Sequence, residues 1–134
     1  MAHAVLAGVI EQPERHDADI AALARWLTDS DKTAAYTLLL RQRQRLSING
    51  MRLLGRLARR FGNWELAVEI WEVLSRGGCR QATEQLAKYH EHISKDLEHA
   101  KYYCELLPVD DEQQRRLNRI LIKRYRQGIQ PALH

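Results

Sequence analysis

Residues 61–79 read FGNWELAVEIWEVLSRGGC, a helical segment framed by Gly62 at one end and Gly77-Gly78 at the other. Glycine is the residue that most easily adopts the left-handed conformation closing many helices, so both ends are marked. Between them Trp64, Ala67, Trp71 and Leu74 recur three or four residues apart, which puts them on one side of a helix. Glu65, Glu69 and Glu72 fill the gaps. A small residue beside a large one on that side is a packing device. Ala67 lets a neighbouring helix approach closely, and Trp71 fills the space between one pair of helices and the next. Trp64, just after the turn, packs on the loop or staples the helix start. These aromatics are read as structural.

The same pattern extends outward. Ile20, Leu23, Ala24 and Leu27 form a stripe that predicts a helix over 14–28, and Asp29, Ser30 or Asp31 can cap the next one, over 33–45. Ser47 or Asn49 can cap a third over 51–60, with Leu53, Leu54, Leu57, Ala58 and Phe61 as its buried stripe. Beyond the opening segment, helices are expected over 81–92, 96–107 (ending before Pro108) and 111–127, the last closed by Gly128. With 45% hydrophobic and 28% charged residues, three prolines and few β-branched residues, the 134-residue chain reads as one all-α domain of about seven helices. Short turns make sequential helices antiparallel neighbours.

An internal repeat underlies this order. Met51, Leu54, Gly55 and Ala58 open a hairpin, Gly62 turns it, and Ala67, Trp71 and Leu74 close it. Thr83, Leu86, Ala87 and His90, then Ala100, Cys104 and Leu107, repeat it with one residue inserted near 93–95. The pattern Leu54, Gly55, Ala58, Gly62, Ala67, Trp71, Leu74 resembles a tetratricopeptide repeat (TPR), and the second copy, LAKYHEHISKDLEHAKYYCELL, is similar to the TPR/Sel1-like class. Met51 and Cys79 depart from that pattern. The resemblance implies a right-handed stack of antiparallel helical hairpins, with repeats over 48–79 and 80–108 and a capping helix over 111–127. More narrowly, the chain resembles the helical C-terminal region of bacterial proteins that carry an RNase H-like exonuclease domain. That resemblance covers a helical appendage only, and no catalytic residue carries over from it.

Charge is distributed in blocks. Residues 1–40 hold six acids and three bases; 41–60 hold seven arginines and no acid; 61–112 hold eleven acids and five bases; 115–126 hold six bases and no acid. On the third helix Arg52, Arg56, Arg59 and Arg60 fall at i, i+4, i+7 and i+8, one cationic face opposite the apolar stripe. TPR-like folds line a concave groove with the first helix of each hairpin, so the resemblance turns these arginines into that groove. Guanidinium forks bind carboxylates or phosphates bidentately. Glu65, Glu69 and Glu72, or water, could instead neutralise them. The last helix, with Leu117, Ile120, Leu121 and Tyr125 among its bases, reads as a solvating cap, as a docking surface or as a contact for nucleic-acid phosphates. Aromatic residues that could stack on bases are confined there to Phe61 and Tyr125.

His90, His92, Asp96 and His99 invite a metal reading, but an i, i+2 spacing splits His90 from His92, and a turn interrupts the others. No phosphate-binding loop, nucleophile elbow or HExxH stands in the sequence. No enzyme activity, cofactor or metal is therefore expected. The expected work is that of a protein-protein interaction scaffold presenting a basic groove to an acidic peptide. A nucleic-acid-associated accessory module or a structural, dimerising unit are the alternatives. The N-terminal HAVLAGVI is too short to span a membrane and lacks a basic leader. Cys79 and Cys104 stand alone, with no CxxC spacing, as reduced thiols in a cytoplasm would, and the narrower resemblance implies a bacterial protein.

Overall fold

Glycine turns set the helix boundaries. The computed structural model describes residues 13–132, and every regular element among them is helical. The order is α1 (Pro13–Ser30), α2 (Lys32–Arg41), a 3₁₀ turn (Arg43–Arg45), α3 (Ile48–Arg60), α4 (Trp64–Arg76), α5 (Arg80–His92), α6 (Leu97–Glu105) and α7 (Asp111–Ala132). At the end of α3, Gly62 takes φ +78°. Asn63 N–H donates to Ala58 O at 2.8 Å and Gly62 N–H to Arg59 O at 3.0 Å. α4 ends the same way, with Gly78 at φ +91°. There Cys79 N–H donates to Leu74 O at 2.9 Å and Gly78 N–H to Ser75 O at 3.0 Å. These crossed bonds satisfy carbonyls that a helix end would otherwise leave without donors.

Side-chain caps open the helices. Asp31 accepts from Ala34 N–H at 3.0 Å, Ser47 from Gly50 N–H at 3.2 Å, Asn63 from Leu66 N–H at 3.3 Å and Asp96 from His99 N–H at 3.2 Å. Because Ser47 is the cap, α3 starts at Ile48 rather than at Met51. α2 stops at Arg41, and the chain tightens into the 3₁₀ turn before Leu46. α6 stops short of Leu107, where Leu106 and Leu107 N–H switch to the three-residue bonds of a tightened last turn ahead of Pro108. Gly128 does not end α7, which continues to Ala132. An interior glycine costs a helix roughly 1 kcal/mol, which weakens it without terminating it. HAVLAGVI lies outside the described residues.

The chain falls into two compact units, Met1–Ile70 and Trp71–His134, whose boundary lies inside α4 rather than at a linker. In the first, α1, α2 and α3 pack on one another. Ala24, Ala35, Leu39, Leu54, Ala58 and Ala67 are buried there. In the second, α5 packs on α6 and α6 on α7. Its centre is Ala87, Ala100, Cys104 and Ile120, with Tyr103 and Leu117 against it. The alanines admit close helix approach, and the larger side chains fill the remainder to interior density. Trp71, Leu74, Thr83, Leu86 and Leu107 are buried as the repeat pattern requires, whereas Met51 and His90 are only half-buried. Phe61 is a correction: it stands exposed, its ring stacked on Tyr36 at 4.9 Å, while Asn63 Nδ2 donates to Tyr36 Oη at 3.1 Å. No helix among the described residues is long and apolar enough to cross a membrane.

Candidate functional site

The cap at Ser47 fixes where α3 begins, and Leu53, Leu54, Leu57 and Ala58 fix which side it buries. The arginines follow from that. Arg56, Arg59 and Arg60 are exposed and Arg52 is half-buried. Two of the four enter a cleft of about 260 Å³, in which Arg52 and Arg56 line one wall with Asn49 and Leu53, and Arg25, Thr28 and Asp29 of α1 line the other. Arg59 and Arg60 are not among its lining residues, so the cationic face divides into a cleft part and an open part. Thr28 turns its hydroxyl back onto Ala24 O at 2.7 Å.

Among the described residues, three arginines and one aspartate therefore line one space of about 260 Å³. Arg25 and Arg56 form no ion pair with any described residue. A guanidinium in a partly enclosed cleft interacts with an anion through a lower effective dielectric than at an open surface, and two forks from different helices can grip one carboxylate. Arg25 was not legible as a site residue. It lies outside the acid-free arginine block, one helical turn before Asp29, and only the packing of α1 on α3 brings it to Arg52. Of the acids expected to neutralise the block, Glu69 pairs with Arg43 at 3.1 Å, on open surface.

The C-terminal bases are arranged differently. Glu91 of α5 has no side-chain exposure and is held by Arg119 Nε at 2.5 Å, Arg119 Nη2 at 2.8 Å and Lys123 Nζ at 2.8 Å. Burial alone would push its carboxyl pKa up. The hydrogen bonds from Arg119 and Lys123 and the charges of Arg119 and His92 outweigh that and hold it at about 2. Arg116 reaches Glu112 at 3.1 Å and Glu84 at 3.6 Å, and Arg124 reaches Glu98 at 2.5 Å. Four of the six bases on α7 thus tie that helix to α5, to α6 or to its own first turn. Sequence reasoning missed Glu91, although a signal existed: it stands four residues after Ala87, a lone acid on the apolar stripe of α5.

The histidines form pairs rather than a shell. His99 Nδ1 lies 2.6 Å from Asp96 Oδ2, and His92 Nε2 lies 3.3 Å from Glu91 Oε1. His90 stacks on Tyr103 at 5.7 Å and contacts the Ser94 hydroxyl at 2.9 Å. Its pKa is lowered, first by burial and then by His99, with Asp96 opposing. Among the described residues no three His, Cys, Asp or Glu side chains could hold a metal ion together. The chain matches no protein-family model, no curated protein and no solved structure.

Proposed function

We propose that the protein is a non-enzymatic interaction scaffold, a TPR-like stack of helical hairpins whose α1–α3 cleft holds an acidic segment of a partner protein. One observation carries this reading: Arg25 and Arg56, from two helices and without an ion pair to any described residue, line a single cleft together with Arg52, and among its described lining residues the acid is Asp29. Packed helices fix the backbone positions of the arginines before binding, while the exposed side chains still lose rotamer freedom on taking up a carboxylate. The second basic block supports a phosphate-tracking role less well, because most of its charges already answer carboxylates within the same unit.

The test is direct binding of an acidic peptide, followed by titration calorimetry. Arg56→Ala is expected to weaken binding by about 1–3 kcal/mol while leaving stability within about 0.5 kcal/mol, since the side chain is exposed. Arg25→Ala should weaken it similarly. Full affinity in the Arg25→Ala/Arg56→Ala double variant would remove the cleft from the function.

A further inference from the structure

Two positions in the second unit break a local backbone rule, and both line one cleft. Lys95, in the turn between α5 and α6, has φ +58°, in the left-handed region that costs an L side chain and suits glycine. The turns that close α3 and α4 take positive φ with Gly62 and Gly78. Gly128 shows the reverse. It stands inside α7, where every residue except proline favours the helix more, and a Cβ added there would meet nothing within 4 Å. Positions where a sequence overrides its local backbone preference are where function is expected.

The cleft has a volume of about 660 Å³, within the range of small-molecule sites. Lys95, Asp96, Leu97 and Glu98 line it from the turn and the start of α6, and Leu121, Arg124, Tyr125 and Gly128 line it from α7. The α7 residues fall at i, i+3, i+4 and i+7, one side of the helix. Most of the charge here is answered. Asp96 accepts from His99 N–H at 3.2 Å and lies 2.6 Å from His99 Nδ1. Glu98 pairs with Arg124 at 2.5 Å. Lys95 forms no ion pair with any described residue. Beside it Leu121 is 38% exposed and Tyr125 is 70% exposed.

We propose that this cleft binds a small amphipathic anion, a carboxylate on an aromatic or aliphatic body, with the carboxylate on Lys95 and the body against Leu121 and Tyr125. Charge complementarity selects one anionic group, since the acids of the cleft already have partners and the lysine does not. Removal of apolar surface from water selects the body. Gly128 leaves that wall of the cleft without a side chain, which makes room for it. The site lies within Trp71–His134 and is independent of the α1–α3 cleft.

The experiment titrates the whole chain with hydrocinnamate, octanoate and their uncharged primary amides, followed by NMR shifts of the backbone amides. The acids should bind about fivefold more tightly than the amides or better, as one charge-assisted contact allows. Lys95→Gly should erase that preference and leave the melting temperature unchanged or raised, since glycine takes the left-handed backbone without strain. Gly128→Leu should weaken acids and amides alike without lowering the melting temperature, because its side chain fills the cleft and favours the helix. Arg56→Ala should change neither affinity. Equal binding of acids and amides by the parent, or binding of neither, would overturn the inference. So would a preference for acids that survives Lys95→Gly, or one lost in Arg56→Ala, which would place the carboxylate in the α1–α3 cleft. Tighter binding of an acetylated peptide ending in a free phenylalanine carboxylate, lost in Lys95→Gly, would overturn the small-molecule assignment in favour of a chain terminus.

Discussion

Glu91 keeps a full negative charge with its side chain out of solvent, because three donors from Arg119 and Lys123 replace the water it gives up. Its carboxyl lies well below the ordinary value of 4.5, at about 2, so the charged form is the one the fold favours. The stability this supplies is present above the unfolded value and is lost as pH falls through the folded one. Urea unfolding at a series of pH values should show stability declining from about pH 4.5 towards 2, and Glu91→Gln should flatten that decline. At neutral pH, Glu91→Ala should cost about 2–4 kcal/mol, at the lower side of a broken buried pair because Arg119 and Lys123 are part-exposed and regain water. A flat acid limb in the parent would show that Glu91 is not held as described. Gly62 offers a backbone test at the same scale. Nothing lies within 4 Å of a Cβ added there, but φ is +78°. Gly62→Ala should therefore cost about 1–2 kcal/mol from conformation alone.

At the scale of elements, α4 buries the side that its spacing marks. Ala67 is fully buried and Trp71 is 4% exposed. Ala67→Leu should overpack its site at a cost of about 1–3 kcal/mol, and Trp71→Ala should cost about 3–5 kcal/mol by leaving a cavity. Thermal melts indistinguishable from the parent for both would show that the repeat register is wrong. The glycine-bounded frame of this helix was readable in the sequence because Gly62 and Gly78 do what only glycine does cheaply. The ends of α2 and α7 were misplaced for a complementary reason. Arg43–Arg45 carry no local stop signal, and Gly128 carries one that the helix does not obey.

Across the whole molecule, the basic blocks differ in what answers them. On α7, four bases meet Glu84, Glu91, Glu98 and Glu112. At the α1–α3 cleft, Arg25 and Arg56 form no ion pair with any described residue and stand with Arg52 and Asp29 among the described lining residues. This separates bulk charge from a site. Arg115→Glu with Arg126→Glu removes four units of charge and takes the net from +4 to zero. Acidic-peptide affinity should nevertheless fall less than in the single charge swap Arg56→Glu, with salt weakening the parent complex as exposed charges are screened beyond about 8–10 Å. Equal losses in the two variants, measured at one ionic strength, would mean that the net field and not the cleft attracts the peptide.

Local chemistry is what the sequence alone determined. Periodicity, glycine and the Ser, Asp and Asn caps act over one or two helical turns, so the all-helical class, the order of the seven helices among the described residues and the buried positions Leu54, Ala58, Ala67, Trp71, Leu86 and Ala100 could be read directly. So could the cationic face of α3, since a helix surface follows from spacing. What answers a charge cannot be read that way. Arg119 meets Glu91 across 28 residues, Arg43 meets Glu69 across 26, and Arg25 comes to Arg52 only because α1 packs on α3. Coulombic and hydrogen-bond partners are chosen by distance in space. Tertiary packing alone decided which bases of α7 answer carboxylates and which arginines line a cleft.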